Sequence, residues 1–251
     1  MSDKSSFHGQ VVMVVGAGNG IGRATIGLLK GRGARVIALD MNSEALSALQ
    51  NEFSLGVDQV KVLDVSDEAA IVKTIAEINN AEGRIDALVN SAGMTGPTNR
   101  PINTISWVEF EKTLRVNLFG AIWLTQNVIP IMQKQKYGRI VHVSSIAGKE
   151  GNPGMAPYNT SKAGMIGFIK GVAKEVAPEG ITINAVAPAV IRTPMNADTS
   201  DETLKYMIAR IPMGRVGEAE EVAETICFAA SKACSFTTGF TFDTSGGRAT
   251  Y

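Results

Sequence analysis

Short apolar runs alternate with segments of helical periodicity along this chain. The first run, Val11–Val15, precedes apolar positions at helical spacing, which are Ala24, Ile26, Leu28 and Leu29. Further strands are predicted at Arg35–Leu39, Val57–Leu63, Ile85–Val89, Ile140–Val143, Ile181–Val186 and Phe240–Asp243. Further helices are predicted from Ser43, at Asp67–Ala81, over Thr104–Lys136 with a bend or break at Pro130, from Pro157 to Val176 and at Glu218–Ser231. The alternation predicts an α/β fold over residues 1–251, a single doubly wound domain with a seven-stranded parallel sheet and helices on both faces.

A glycine-rich turn, Gly16–Gly22, follows the first predicted strand directly and precedes a predicted helix. Strand, glycine turn and helix form the context of a dinucleotide-binding loop, because backbone N–H groups and the helix N-terminus can approach a pyrophosphate there. The predicted dinucleotide contacts in this turn are Gly16, Asn19, Gly20, Ile21 and Gly22.

Asp40 ends the second predicted strand, about twenty residues beyond the glycine turn. A carboxylate at this position can accept hydrogen bonds from the ribose hydroxyls of adenosine, and its charge would repel a 2′-phosphate. Neither Asn19 nor Met41 is basic, as a phosphate-binding enzyme would require. The sequence therefore predicts NAD rather than NADP as the cofactor. The alternative is that Asp40 only caps the helix that begins near Ser43.

The candidate catalytic residues are Ser145, Tyr158 and Lys162. Ser145 follows the strand Ile140–Val143, and the spacing of four places Tyr158 and Lys162 on one face of the next helix. A phenol has a pKa of about 10, and an ammonium group close by would lower that pKa toward the range of a useful base. Ser145 could donate a hydrogen bond to a substrate oxygen. The alternative is an ordinary exposed pair of Tyr158 and Lys162.

These motifs together resemble the short-chain dehydrogenase/reductase family, and the resemblance covers essentially the whole chain. The family has a serine ahead of Tyr-x-x-x-Lys, as at Ser145, Tyr158 and Lys162, and a Gly-x-x-x-Gly-x-Gly loop, as at Gly16–Gly22. The resemblance implies a Rossmann-type fold, hydride transfer between a nicotinamide cofactor and an alcohol or ketone, and a homotetramer. It also implies a catalytic role for Asn117, which would hold a water that links the active-site lysine to solvent.

The same resemblance implies further contacts with the cofactor. They are Asp64, Val65, Asn90, Ala92, Gly93, Tyr158, Lys162, Pro188, Val190, Ile191 and Thr193. Asp64 would lie beside the adenine; otherwise it would cap the helix Asp67–Ala81. Three positions depart from the family pattern. Val15 lacks a hydroxyl that braces a neighbouring loop, Ser91 replaces an asparagine, and Ala189 replaces a glycine and so reduces backbone freedom.

Three basic residues could face the substrate, namely Lys149, Arg192 and Arg248. Because arginine binds a carboxylate in a bidentate fork, they favour an anionic substrate, although each could equally be a solvated surface residue. The stretches IAGKEGNP, APAVIRTP, RIPMGR and SGGRATY resemble a subgroup that oxidises sugar acids such as 2-keto-3-deoxy-L-rhamnonate or -fuconate. The alternatives are a 3-oxoacyl-[acyl-carrier-protein] reductase and a non-catalytic NAD-binding sensor. A substrate lid is predicted near residues 189–215.

Composition argues against several other classes of function. Lys+Arg and Asp+Glu both number 24, so the chain lacks the basic excess that nucleic-acid binding would favour. No apolar run approaches the ~18–20 residues of a membrane span, and the polar N-terminus lacks a signal-peptide pattern. Cys227 and Cys234 are predicted to be buried free thiols, which suits a cytoplasmic location. His8 and His142 have no second ligand at useful spacing, so no metal site is predicted.

Overall fold

The computed structural model describes residues 6–194 and 200–251. Its strands are β1 (Val11–Val15), β2 (Arg35–Asp40), β3 (Val60–Val62), β4 (Ala87–Asn90), β5 (Gly138–Val143), β6 (Ile181–Pro188), β7 (Ile191–Arg192), β8 (Gly217–Glu218) and β9 (Thr241–Thr244). Its α-helices are α1 (Gly20–Gly31), α2 (Ser43–Glu52), α3 (Glu68–Glu82), α4 (Trp107–Leu114), α5 (Gly120–Gln135), α6 (Ala156–Val176), α7 (Asp201–Ile208) and α8 (Ala219–Ala230). Seven of the strands form one parallel sheet in the order β3-β2-β1-β4-β5-β6-β9, which confirms the predicted fold class.

Alternate residues of β1 face two different layers of helices. Val12 and Val14 belong to a buried cluster that includes Ile26 of α1 and Ile226 of α8. Met13 belongs to a second buried cluster, with residues of α3, α5 and α6. Successive side chains of a strand point to opposite faces, so a sheet that is covered on both faces requires a continuous apolar run.

The carboxyl ends of the parallel strands meet at one edge of the sheet. The glycine turn follows β1, and Asp40 is the last residue of β2. Asn90 ends β4, Ser145 follows β5, and Pro188 ends β6. Residues that are distant in sequence are thus brought to a common edge by the topology alone.

The predicted strand Val57–Leu63 is wrong in its first half. Residues Val57–Gln59 form a 3₁₀ turn, and the strand is limited to Val60–Val62. Gln59 stabilises the turn, because its Oε1 accepts from the N–H of Gly56 at 3.0 Å and its Nε2 donates to the carbonyl oxygen of Val36 at 2.8 Å. Val57 in the turn and Val62 in the outer strand are both exposed, so their apolar character does not indicate a buried strand.

The predicted helical segment Thr104–Lys136 is divided, but not at Pro130. A 3₁₀ turn at Ile102–Thr104 precedes α4, and a π-helical turn at Arg115–Phe119 joins α4 to α5. Helix α5 continues through Pro130 to Gln135. The irregular turn therefore lies around Asn117, a residue of the candidate site.

Part of the predicted lid is a helix, α7, and a short parallel pair of β7 and β8 precedes and follows it in the chain. Residues 195–199 of this lid lie outside the described residues. Among the described residues, the helices are too short or too polar to cross a membrane.

Candidate active site

A cleft with a volume of about 500 Å³ lies where the strands β5 and β6 end. Its walls come from the ends of these strands, from α6 and α7, and from the C-terminal segment. The predicted site residues that line it are Ile21, Gly93, Ser145, Tyr158, Lys162, Pro188, Val190, Ile191, Thr193 and Arg248. The structure thus brings the three candidate catalytic residues into one cleft with one of the predicted substrate residues.

The side chains of Ser145 and Tyr158 line the same cleft, and the Ser145 hydroxyl acts on the phenol, whose pKa it lowers against the effect of burial. Ser145 follows β5 in an extended conformation, and its Oγ accepts from the backbone N–H of Ala147 at 3.1 Å. Tyr158 lies in the first turn of α6, directly after Pro157, whose fixed φ suits a helix start. Both hydroxyl groups are therefore held by their local backbone at the same point of the cleft.

Lys162 lies one turn further along α6 and is only 4% exposed. Its Nζ donates to the carbonyl oxygen of Val143 at 2.7 Å and lies 5.6 Å from the centroid of the Tyr158 ring. Burial lowers the pKa of this ammonium group to about 8, because the charged form loses its hydration. The Val143 carbonyl takes one of the three N–H donors, which leaves two for other groups in the cleft.

The pKa of Tyr158 is raised in this structure, whereas the sequence predicts that Lys162 lowers it. Burial of the phenol is the dominant cause, and the hydrogen bond with Ser145 opposes it. Helical spacing does place the cation close to the ring. It does not reveal that both groups lose their hydration in the cleft, and that loss disfavours the charged form of each.

Asn117 supports the cleft from behind, within the π-helical turn. Its Nδ2 donates to the carbonyl oxygen of Met94 at 2.9 Å and to Oγ of Ser161 at 3.0 Å. Its Oδ1 accepts from the N–H of Met94 at 2.8 Å. This buried amide fixes the loop after β4 against α6. The role of Asn117 in holding a water stays a prediction.

The glycine turn packs closely against the neighbouring backbone, and two of its positions, Gly16 and Gly22, have no room for a side chain. Its backbone N–H groups can therefore approach a dinucleotide. Gly16 has a φ of +74°, and a Cβ there would lie 2.5 Å from the backbone nitrogen of Ala92. A Cβ on Gly22 would lie 2.0 Å from the carbonyl oxygen of Gly16. The side chain of Asn19 does not cap α1, so the N–H groups of the first turn carry no side-chain acceptor. Those groups can bind a pyrophosphate.

Asp40 lies against this turn. Its Oδ2 accepts from the N–H of Gly18 at 2.8 Å, and its Oδ1 accepts from the N–H of Asn42 at 2.9 Å. Asn42, and not Asp40, caps α2 by accepting from the N–H of Ala45 at 3.0 Å. A carboxylate accepts about four hydrogen bonds, so lone pairs remain for ribose hydroxyls.

Asp64 is likewise not the cap of the following helix. Its Oδ1 accepts from the N–H of Ser66 at 2.8 Å, whereas Asp67 caps α3 by accepting from the N–H of Ala70 at 3.0 Å. The neighbouring Val65 is buried, but Asp64 is exposed. Contact of Asp64 and Val65 with an adenine ring stays a prediction.

Ser91 braces the glycine turn. Its hydroxyl donates to the carbonyl oxygens of Val15 and Gly16, each at 3.1 Å. The neighbouring Asn90 accepts from the N–H of Ala92 at 3.2 Å. A hydroxyl group therefore still ties the loop after β4 to the loop after β1, but it belongs to Ser91 and not to position 15.

The segment after β6 forms the opposite wall of the cleft, with Pro188, Ala189, Val190, Ile191 and Thr193. Thr193 lies across from the glycine turn, since a Cβ on Gly20 would be 3.0 Å from its Cγ2. The loops after β1 and β6 thus meet over the cleft. This arrangement could enclose the nicotinamide end of a dinucleotide.

Arg248 comes from the C-terminal segment, and its side chain is 5% exposed. Its Nε donates to Oε2 of Glu150 at 3.1 Å, and its Nη2 donates to Oδ1 of Asn152 at 3.0 Å. These contacts hold the guanidinium group against the loop that follows Ser145.

Lys149 and Arg192 are not brought into the cleft. Lys149 pairs with Asp243 at 3.0 Å and lies over the ring of Tyr251. Arg192 pairs with Glu218 at 3.1 Å, and its side chain is 71% exposed. Each cation is directed toward a carboxylate outside the cleft lining.

Helix α7 and the residues that follow it contribute a wall of the cleft within the predicted lid near residues 189–215, although the sequence analysis does not name the residues that line it. The lining residues are Glu202, Thr203, Tyr206, Met207 and Arg210. Their spacings of three and four would have revealed one face of a helix. Nothing in that periodicity indicates whether the face meets a cleft or solvent. Among the described residues, no group of three or more His, Cys, Asp or Glu could hold a metal ion.

Comparisons with known proteins find chains that are similar over nearly the whole length. A family model described as enoyl-(acyl carrier protein) reductase matches residues 16–249. The 2-dehydro-3-deoxy-L-rhamnonate dehydrogenase (NAD(+)) of a Sphingomonas species is 41% identical over 245 residues, which are 98% of this chain and 97% of that protein. The 3-oxoacyl-[acyl-carrier-protein] reductase of Thermotoga maritima is 41% identical over 243 residues, 96% of this chain and 98% of that protein. The crystal structure of gox2181 has a TM-score of 0.93 at 33% identity and covers 98% of this chain and 97% of its own.

Fold, cleft and relatives together define an oxidoreductase that acts on CH–OH groups with a nicotinamide dinucleotide as acceptor. The chain belongs to the short-chain dehydrogenase/reductase family, as the sequence motifs predict.

His142 occupies the buried space behind the cleft, on β5. Its Nδ1 lies 3.3 Å from Nδ2 of Asn90, and its Nε2 lies 2.9 Å from Oγ1 of Thr125. The Thr125 hydroxyl donates to the carbonyl oxygen of Ala121, so it must accept from Nε2–H, and Nδ1 accepts from the Asn90 amide. Burial, assisted by the charge of Lys162, lowers the pKa of His142 to about 3.

We predict that His142 makes the protein less stable as the pH falls from 7 to 5. The unfolded chain binds a proton at His142 near pH 6.5, whereas the folded protein does not until about pH 3. The contribution of His142 to the free energy of unfolding is therefore complete above the pKa of the unfolded chain. It decreases below that pKa, by about 2 kcal/mol between pH 7 and pH 5. Urea unfolding at fixed protein concentration measures it. His142→Asn should lose that pH dependence, and His8→Asn should retain it. Equal pH dependence in wild type and His142→Asn would contradict the assignment.

Proposed function

We propose that this protein oxidises a secondary alcohol of a hydroxylated carboxylate, a 2-keto-3-deoxy sugar acid, with NAD. The observation that carries the proposal is that Ser145, Tyr158 and Lys162 line one cleft together with Arg248. A second arginine, Arg210, lines the same cleft, which supports an anionic substrate. The relative from Sphingomonas, a 2-dehydro-3-deoxy-L-rhamnonate dehydrogenase, adds support for the substrate class.

In the proposed reaction Tyr158 accepts the proton of the substrate hydroxyl, and Ser145 donates a hydrogen bond to the same oxygen. NAD, when bound, supplies the acceptor for the hydride that leaves the carbinol carbon. The products are then a ketone, NADH and a proton held on Tyr158. The interaction of Ser145 with Tyr158 supports these roles, because both side chains line the same cleft.

Lys162 has two further tasks in this proposal. Its positive charge stabilises the phenolate form of Tyr158, which burial alone disfavours. Its two remaining N–H donors bind the ribose hydroxyls on the nicotinamide side of the cofactor. Asn117 positions the loop after β4, and residues of α7 act as the predicted substrate lid near 189–215.

The alternative substrate is a 3-oxoacyl thioester, because relatives such as the Thermotoga maritima reductase carry that activity in their names. A panel of 2-keto-3-deoxy sugar acids, neutral polyols and acetoacetyl thioesters, each assayed with both nicotinamide cofactors, separates the two functions. Reduction of NAD with a sugar acid supports the proposal. Oxidation of NADPH with the thioester, without sugar-acid activity, supports the alternative.

We predict that Tyr158→Phe lowers kcat/KM for the best substrate of that panel by at least about a hundredfold, because the variant keeps the ring and loses the proton acceptor. The Kd for NADH, from fluorescence titration, should change little. Tyr137→Phe is the matched control, since Tyr137 accepts a hydrogen bond from Gln10 and does not line the cleft. Turnover of Tyr158→Phe within tenfold of wild type would refute the catalytic assignment.

We predict that Asp40→Asn lowers the ratio of kcat/KM for NAD to that for NADP by about tenfold or more, because a charge that repels a 2′-phosphate is removed. The amide oxygen can still accept from Gly18, so the turn keeps its brace. Asp40→Ala removes both the charge and the acceptor, and it should also raise the KM for NAD. An unchanged ratio in both variants would contradict the ribose role of Asp40.

The proposal includes a homotetramer in the cytoplasm. The edge strand β9 and the segment before it support self-association, because Phe236 and Phe240 are exposed in that segment. The buried free thiols of Cys227 and Cys234 support a reducing compartment.

We predict a tetrameric mass by light scattering, a smaller assembly for Phe240→Glu, and no change for Val57→Glu at the opposite side of the sheet. A wild-type monomer would contradict the homotetramer.

A further inference from the structure

The face of α7 that lines the cleft carries charge at both ends. Glu202, Tyr206 and Arg210 follow one another at intervals of four residues, so they form one row along the helix and the turn after it. Thr203 and Met207 lie beside this row and also line the cleft. The row therefore runs from a carboxylate to a guanidinium group along one wall of the cleft.

Arg210 differs in its partners from Arg248, the other arginine of the cleft. Arg248 is already held by the carboxylate of Glu150 and by Asn152. Within 6–194 and 200–251, Arg210 forms no ion pair with an acidic side chain, and it is exposed. The charge of Arg248 is thus largely compensated by the protein, whereas the charge of Arg210 is available to a ligand.

Tyr206 orients the guanidinium group of Arg210. The central carbon of the guanidinium lies 4.5 Å from the centroid of the Tyr206 ring. Stacking on an aromatic face uses the flat side of the guanidinium and leaves its N–H groups free at the edge. Those N–H groups have the geometry that binds a carboxylate through two parallel hydrogen bonds. The stack also restricts the rotamers of a long side chain, which reduces the entropy lost when a ligand binds.

We propose that Arg210 binds the carboxylate of the substrate and is the residue that makes the enzyme prefer acids to neutral alcohols. This inference rests on the proposed function, since it assigns a part of the same substrate to a particular side chain. Arg248, in contrast, is a positioning residue that holds the loop after Ser145 through Glu150 and Asn152.

The test compares 2-keto-3-deoxy-L-rhamnonate with its methyl ester, which has the same chain and lacks the charge. Arg210→Gln should raise the KM for the acid by roughly tenfold to a hundredfold and leave kcat within about threefold. It should leave kcat/KM for the ester unchanged. Arg210→Lys should fall between wild type and Arg210→Gln for the acid, because lysine keeps the charge without the fork. Lys205→Gln is the matched control, since it removes a positive charge from α7 at a position that does not line the cleft.

Binding without turnover separates this inference from the proposed function. The rise in Tm that the acid causes in the presence of NADH is measured for wild type and for Arg210→Gln. A rise that Arg210→Gln abolishes supports the inference even where the acid is not turned over, and equal rises overturn it. An unchanged KM for the acid in Arg210→Gln also overturns it. An increase in KM confined to acetoacetyl-CoA, whose phosphates could use the same guanidinium, overturns the carboxylate assignment as well.

Discussion

The buried ammonium group of Lys162 is the interaction on which the arrangement of the site depends. It lies between β5 and α6 without a carboxylate partner in the described structure, and the Val143 carbonyl is its hydrogen-bond acceptor. Ser144 reinforces the same junction, because its Oγ donates to the carbonyl oxygen of Lys162 at 3.0 Å. Gly148 allows the close approach, since a Cβ there would lie 2.6 Å from the carbonyl carbon of Lys162. Strand, turn and helix are thus fixed to one another around a single cation.

Burial shifts the pKa of Lys162 and the pKa of Tyr158 in opposite directions, but the physical cause is the same. The charged form of each group loses hydration, so the pKa of the amine falls and that of the phenol rises. Loss of a proton from Tyr158 creates a phenolate beside the remaining ammonium, and each charge then stabilises the other at short range.

Much of the fold and of the candidate site could be predicted from local sequence, because both follow from the order of strands and turns. A run such as Val11–Val15 is buried on both faces and has only one structural interpretation in this context. Where a strand lies at the edge of the sheet, as β3 does, an apolar residue such as Val62 stays exposed, and the apolar pattern no longer marks the strand. The hydrogen bonds from Ser91 to the glycine turn join positions that are separated by 75 and 76 residues in the sequence. No local sequence pattern predicts such a contact.

Ion pairs with remote carboxylates decide where the predicted substrate cations lie, whereas helical spacing decides where Tyr158 and Lys162 lie. Acidic and basic residues are equal in number in this chain, so a basic residue chosen from sequence has abundant carboxylates as competing partners. The partners that decide the outcome are remote, since Lys149 and Asp243 are separated by 94 positions and Arg248 and Glu150 by 98. Tyr158 and Lys162, in contrast, are related by one helical turn, and the backbone alone brings them together. A basic residue therefore indicates a binding site for an anionic ligand only when the structure shows that it is not paired with a carboxylate of the protein.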